Sequence, residues 1–84
     1  MARRRGDVIW RAVDDQVVGL DLQSSRYFSL NPSAAMLWDL LEQEMTAAEL
    51  AEALTSYYGV EPEAAKKDVE ALLAEMARSG LLLD

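Results

Sequence analysis

Catalysis in this 84-residue chain would have to come from its carboxylates, its serines or the pair Lys66–Lys67, because it contains neither cysteine nor histidine. Without them there is no thiolate nucleophile or ligand, no disulfide, and neither the commonest general base nor the commonest transition-metal ligand. Paired acids occur as Asp14 with Asp15, Glu42 with Glu44 and Glu61 with Glu63. The first pair falls in a turn signal and the others flank helix ends, where solvated carboxylates are the expected state. Ser24, Ser25, Ser29, Ser33, Ser56 and Ser79 have no imidazole to take their protons, and the two lysines sit among acids rather than in an apolar pocket that would lower a lysine pKa. No glycine-rich phosphate loop is present, and Gly19, inside a strand pattern, reads as a bulge or a close backbone approach. The residues point to a protein that is not an enzyme and uses no metal and no cofactor.

Charge narrows the partners. The net charge is −7, and it is unevenly spread: residues 1–30 carry +1 and residues 31–84 carry −8. Duplex DNA repels such a surface unless a local basic patch overrides it. Arg3–Arg5 is the one candidate patch, and at a chain end it reads as part of a disordered, solubilising basic N-terminus over residues 1–7. The apolar runs are too short for a membrane span or a signal peptide, so no membrane is expected and the cytoplasm is the expected location.

The elements that must position any site follow from periodicity. Val8–Val13 is rich in β-branched and aromatic residues and ends at Asp14-Asp15-Gln16. Val17–Leu22 follows, with Val18, Leu20 and Leu22 on one face by alternation. After Gln23-Ser24-Ser25, Arg26–Leu30 places Phe28 and Leu30 on one face and Tyr27 and Ser29 on the other. These runs predict an antiparallel three-stranded meander, too small to be stable without an apolar layer across it.

Asn31-Pro32 then opens a helix carrying Met36, Leu37, Leu40 and Leu41, with Trp38 widening its stripe. Thr46-Ala47-Ala48-Glu49 is a capping box for a second helix that Gly59 closes. A third helix, residues 62–79, carries Ala65, Val69, Leu72, Leu73 and Met76 and ends at Gly80. Leu81–Leu83 is expected to tuck back on the core. The order predicts a small α+β domain over residues 8–84, a three-stranded antiparallel sheet followed by three helices, with the winged helix-turn-helix as a related architecture. A recognition helix for DNA should present basic or amide side chains, whereas this third helix shows more acids than bases, so no nucleic acid is expected.

The third strand is expected at a sheet edge, and neither proline nor a run of lysines blunts it. An extended peptide can add itself to such an edge, with neighbouring pockets sorting its side chains. Tyr27 and Phe28, with Val69, Leu72 and Met76, are candidates to line those pockets.

Val17–Leu22, Arg26-Tyr27-Phe28-Ser29-Leu30-Asn31-Pro32, Ala34–Leu41, Tyr58-Gly59-Val60, Asp68–Leu73 and Gly80-Leu81-Leu82 together resemble the PqqD-like family, the leader-peptide recognition domains of ribosomally made, modified peptide (RiPP) pathways. Tyr-Phe-x-Leu-Asn-Pro and Trp38 look most like the stand-alone subunit of lasso peptide pathways. The one departure is Glu61, where a better capping residue is expected. The resemblance implies a precursor leader paired with the third strand beside the third helix. Arg26, Tyr27, Phe28, Ser29 and Leu30 would then supply backbone partners, and Ala65, Asp68, Val69, Leu72 and Met76 the facing wall, in preference to the Lys66–Glu70 flank. It further implies presentation of the precursor to a cysteine-protease-like leader peptidase and then to an ATP-dependent cyclase. The alternatives are a PqqD-type chaperone of a cofactor precursor and, from another class, a winged helix-turn-helix DNA-binding regulator using Arg3–Arg5 as an arm.

Overall fold

The structure, a computed structural model, describes residues 1–83. In chain order its elements are β1 (Arg3–Arg4), β2 (Val8–Val13), β3 (Gln16–Asp21), β4 (Arg26–Leu30), α1 (Pro32–Leu40), α2 (Ala47–Tyr58), α3 (Pro62–Arg78) and β5 (Leu82–Leu83). Strands β2, β3 and β4 form an antiparallel meander in that order, and the helices supply the apolar layer it needs. Asp14, with a left-handed φ of 58°, turns the chain between β2 and β3, a conformation that aspartate tolerates better than most residues.

Helix boundaries follow the capping chemistry. The Asn31 side chain accepts from the Ala34 N–H at 2.9 Å, with Pro32 at the first helical position. At α2 the box closes reciprocally: Thr46 Oγ1 accepts from the Glu49 N–H at 3.1 Å, and Glu49 Oε1 accepts from the Thr46 N–H at 2.9 Å. Gly59 ends α2 at φ 67°. Glu61 precedes α3 with no side-chain cap, so Pro62 alone sets its start.

The buried face of β3 is Val17, Gly19 and Asp21, so the face that alternation groups together, with Val18 and Leu22 on it, is turned outward. An aspartate and a glycine take the inward positions. Gly19 lies across from Trp10 and Phe28 in an unbroken ladder, so it marks a close approach and not a bulge. A Cβ there would overlap the Phe28 ring and stand 3.0 Å from the Ile9 carbonyl oxygen. The Phe28 ring, lying over this gap, meets Trp38 at a centroid separation of 5.3 Å.

One expectation is corrected, that of a disordered basic end over residues 1–7. Instead β1 pairs antiparallel with β5, Arg3 opposite Leu83 and Arg4 opposite Leu82, and Ala2 bridges to Met45. Each of the three arginines has an intramolecular partner. Arg3 Nε donates to the Glu42 carbonyl oxygen at 3.2 Å. The Arg4 guanidinium lies 4.8 Å from the Trp10 ring centroid and 5.2 Å from that of Trp38, and Nη1 donates to the Trp38 carbonyl oxygen at 2.9 Å. Planar and weakly hydrated, a guanidinium suits such stacking. Arg5 forms ion pairs with Asp7 at 2.8 Å and with Asp21 at 3.2 Å. Apart from Asp7, these partners lie outside the N-terminal segment, which is why the arginine run reads as solvated from the sequence.

The core is continuous: Val8 and Val17 from the sheet, Leu37, Trp38 and Leu41 from α1 and its end, Leu50 and Leu54 from α2, Ala65, Val69 and Met76 from α3, and Leu81 beyond it. Of the expected tuck of Leu81–Leu83, Leu81 is buried and Leu82 half-buried, whereas Leu83 is exposed.

Asp21 is the one buried acid among the described residues. Burial is the largest influence on its carboxyl and opposes ionisation. The Gln23 N–H, the Ser24 hydroxyl and the Arg5 guanidinium outweigh it together and hold the group below its ordinary range. A depressed folded-state pKa contributes stability that is complete above the unfolded value and is lost as pH falls through the folded one. Chemical denaturation midpoints should therefore be level near neutrality and drop on acidification below about pH 5. Asp21→Asn should flatten that drop; an unchanged acid limb would remove Asp21 from the account. Gly19→Ala should destabilise the domain by about 1–3 kcal/mol, the usual range for overpacking, read as a lower denaturation midpoint with the Phe28 ring displaced.

Candidate functional site

Antiparallel pairing engages alternate main-chain groups of a strand on each side. Strand β4 is hydrogen-bonded to β3 on one side, and among the described residues no strand occupies its other side. The chain's own tail does not close it, since β5 pairs with β1. Alternate N–H and C=O groups of β4 thus face outward, as obligatory donors and acceptors for water or another backbone.

Beside this edge runs a groove of about 230 Å³. Phe28, Ser29, Leu30, Asn31 and Ala34 line it from the strand and the start of α1; Leu72, Glu75, Met76, Ser79 and Leu81 line it from α3 and the residues that follow. The four α3-side positions 72, 75, 76 and 79 follow helical spacing, so one flank of the last two turns faces β4. The lining mixes leucine, methionine and alanine with hydroxyl, amide and carboxylate groups, which suits an extended peptide better than a fully apolar ligand.

The residues expected at the site divide. Phe28, Ser29, Leu30, Leu72 and Met76 come together in the groove. Arg26 is exposed at the root of β4, opposite Asp21. Tyr27 is 83% exposed and points to the outer sheet face, beside Ile9, Val18 and Leu20 in a shallow apolar patch. Ala65 and Val69 are completely enclosed in the core, and Asp68 is exposed outside the groove lining. Of the two flanks considered, the Lys66–Glu70 side faces away: both residues line a larger cavity of about 470 Å³ between α2 and α3, floored by Ala47, Ala48 and Ala51. That cavity has size but no open backbone ladder in its wall.

Asn31, Ala34, Glu75, Ser79 and Leu81 belong to the groove lining without having been anticipated. For Glu75 and Ser79 a signal existed, since they lie at i+3 and i+7 from Leu72. Met76, although it lines the groove, is itself almost fully enclosed, so the accessible α3 surface there is chiefly that of its neighbours.

The lining offers apolar surface and hydrogen-bonding groups beside an open main-chain edge, an arrangement suited to recognition. Among the described residues no group of three metal-ligating side chains converges, and no helix is long and apolar enough to cross a membrane. With Arg3, Arg4 and Arg5 engaged on the protein itself, the N-terminal segment is not a free basic arm.

Comparison with known proteins places this geometry. The family model described as coenzyme PQQ synthesis protein D (PqqD) matches residues 16–82. Among solved structures, TbiB1 in complex with the TbiA(beta) leader peptide is similar at TM-score 0.86 and 30% identity, over 95% of this chain and 93% of that one. A lasso peptide synthetase B1 complexed with the leader peptide is similar at TM-score 0.84 and 32% identity, over 99% of this chain and 98% of that one. The PqqD truncation of Methylobacterium extorquens PqqCD, described as a stand-alone RiPP recognition element, shares the fold at TM-score 0.79 and 24% identity, over 99% of this chain and 88% of that one. No curated protein matches the chain at a significant level. With the family model matching residues 16–82 and two structures at 30% and 32% identity alike over nearly their whole length, this chain belongs to the PqqD family.

Proposed function

We propose that this chain is a non-catalytic adaptor that binds the leader of a ribosomally synthesised precursor peptide, by adding the leader as a further strand to β4 in the groove beside α3. The observation that carries this reading is the unpaired β4 ladder lying alongside a groove with apolar side chains on both walls. The similarity to two leader-peptide complexes supports it and favours lasso peptide biosynthesis over delivery of a cofactor precursor. In that setting the adaptor presents the precursor to a cysteine-protease-like leader peptidase and then to an ATP-dependent cyclase.

The energetics require both parts of the site. Each main-chain hydrogen bond nets about 0.5–1.5 kcal/mol, and association carries an entropic cost of several kcal/mol. A short strand held by its backbone alone therefore falls short of the roughly −8.2 kcal/mol that micromolar binding needs. Side chains of the leader buried against Leu30, Ala34, Leu72 and Leu81 must supply the remainder, while Glu75 and Ser79 offer polar contacts. The ladder provides register and direction, and the groove selects which side chains fit.

A fluorescein-labelled leader peptide titrated against the domain should give saturable anisotropy; absence of saturable binding below about 100 µM, or roughly −5.5 kcal/mol, would sink the reading. Proline scanned through Arg26–Leu30 should produce an alternating pattern. Where the N–H faces the open edge, affinity falls and the fold survives; where it faces β3, the sheet is destabilised. Undiminished affinity at every position that still folds would exclude strand addition. Gel shift with duplex DNA at low salt should show no complex, because a DNA regulator would bind most tightly there.

A further inference from the structure

We propose that Arg5 is a positioning residue for peptide binding: it ties the β3–β4 hairpin to the chain end beyond α3 and so sets the width of the groove between them. The inference rests on the leader-binding reading of that groove. Its geometric basis is that one residue bonds both to the end of β3, which carries β4, and to the chain that follows α3. The Arg5 main-chain N–H donates to the Leu81 carbonyl oxygen at 2.9 Å. Its side-chain Nη1 donates to the Gly80 carbonyl oxygen at 2.6 Å and to Asp21 Oδ2 at 3.3 Å, while Nη2 donates to Asp21 Oδ1 at 3.2 Å.

Each bonded group is the root of a wall. Asp21 is the last residue of β3, lies opposite Arg26 of β4, and organises the turn between them by accepting from the Gln23 N–H at 3.0 Å and the Ser24 hydroxyl at 3.1 Å. Gly80, at φ 73°, reverses the chain after α3 and delivers Leu81, whose N–H donates to the Met76 carbonyl oxygen at 2.9 Å. Ser79 and Leu81, on either side of Gly80, both line the groove. Strand β4 and helix α3 are not packed tightly on one another along their length, so the guanidinium, bonded to Asp21 beside β4 and to Gly80 beyond α3, ties together the segments that carry them.

Width matters because an added strand must satisfy two surfaces at once. Its main chain has to sit about 4.7–4.9 Å from β4, and its side chains have to meet α3. If the walls drift, one set of contacts is lost while the other is kept. The planar guanidinium is suited to hold such a spacing, since its donors are fixed in a fork, and Asp7 holds that fork from outside at 2.8 and 2.9 Å. A lysine ammonium, a point donor on a flexible stem, cannot reproduce it.

The test measures affinity for the labelled leader peptide and stability separately, at a temperature where every variant is folded. Arg5→Gln should weaken binding about tenfold or more, and Arg5→Lys by a smaller factor, because a site loosened by a fraction of an ångström loses much of its affinity. Leu50→Val, a core change at α2 that lowers stability away from the groove, should stay within about twofold. Affinity of folded Arg5→Gln within twofold of the parent would overturn the proposal and leave Arg5 a purely structural residue.

A second readout needs no peptide and covers an Arg5→Gln variant that does not fold, through Arg5→Lys. Since the chain has no cysteine, nitroxides attached at Gln23→Cys and Ala77→Cys report the wall separation alone. Their dipolar broadening should indicate a wider, more varied spacing once Arg5 is replaced; an unchanged spectrum in folded variants would also overturn the proposal. Failure of the parent protein to bind leader, with the nitroxide shift present, would instead refute the function and leave the tie standing.

Discussion

Trp38 sits where the sheet, the first helix and the N-terminal arm converge, and the fold is organised around enclosing it. Its ring is fully buried, with Trp10 set edge-on at 6.3 Å, Phe28 tilted against it at 5.3 Å and the Arg4 guanidinium 5.2 Å from its centroid. Aromatic rings bury more area than any other side chains and favour edge-on and tilted contacts. The indole therefore supplies the apolar layer that a sheet of three strands lacks on its own. Gly19 belongs to the same constraint, since only the missing Cβ lets the Phe28 ring cross β3 and reach the indole. The groove inherits its position from this packing, because Phe28 lies both in the stack and in the groove lining.

Much of this was legible in the residues. The meander, the three helices and their caps follow from local signals that the tertiary structure reinforces: Asn31 before Pro32, the Thr46–Glu49 box and Gly59 each do at close range what their types predict. The edge position of the third strand followed from strand order. What escaped were features whose causes lie far apart in the chain. The inward face of β3 could not be read from alternation because Asp21 is inward, and its partner Arg5 lies 16 residues earlier. The arm looked solvated because Trp10, Trp38, Asp21 and Gly80 are all remote from it in sequence.

The site was half legible for a related reason. An apolar stripe on a helix marks burial, yet the same stripe serves the core and the groove, and only rotation about the helix axis separates them. Ala65 and Val69 lie on the part of α3 turned wholly inward, whereas Leu72, Glu75 and Ser79 lie where the helix has rolled toward β4. That roll depends on how α3 seats on α2, which spacing along one helix does not encode. Charge was legible in sum but not in use. The acidic helical half remains solvated, while the basic N-terminal segment is spent inside the molecule.

The open side of β4 carries an implication for how its partners diversify. A ladder recognises amide groups that every residue type possesses, so it places almost no demand on what the bound segment spells. Under the proposed function, discrimination would fall to the few side chains that reach the groove lined by Leu30, Ala34, Leu72, Glu75, Ser79 and Leu81. Between those anchor points a cognate peptide is free to drift in composition without losing its register. On that reading one compact scaffold would accept divergent clients, and a change of clientele would call for altering side chains along the groove while the strand edge stays as it is.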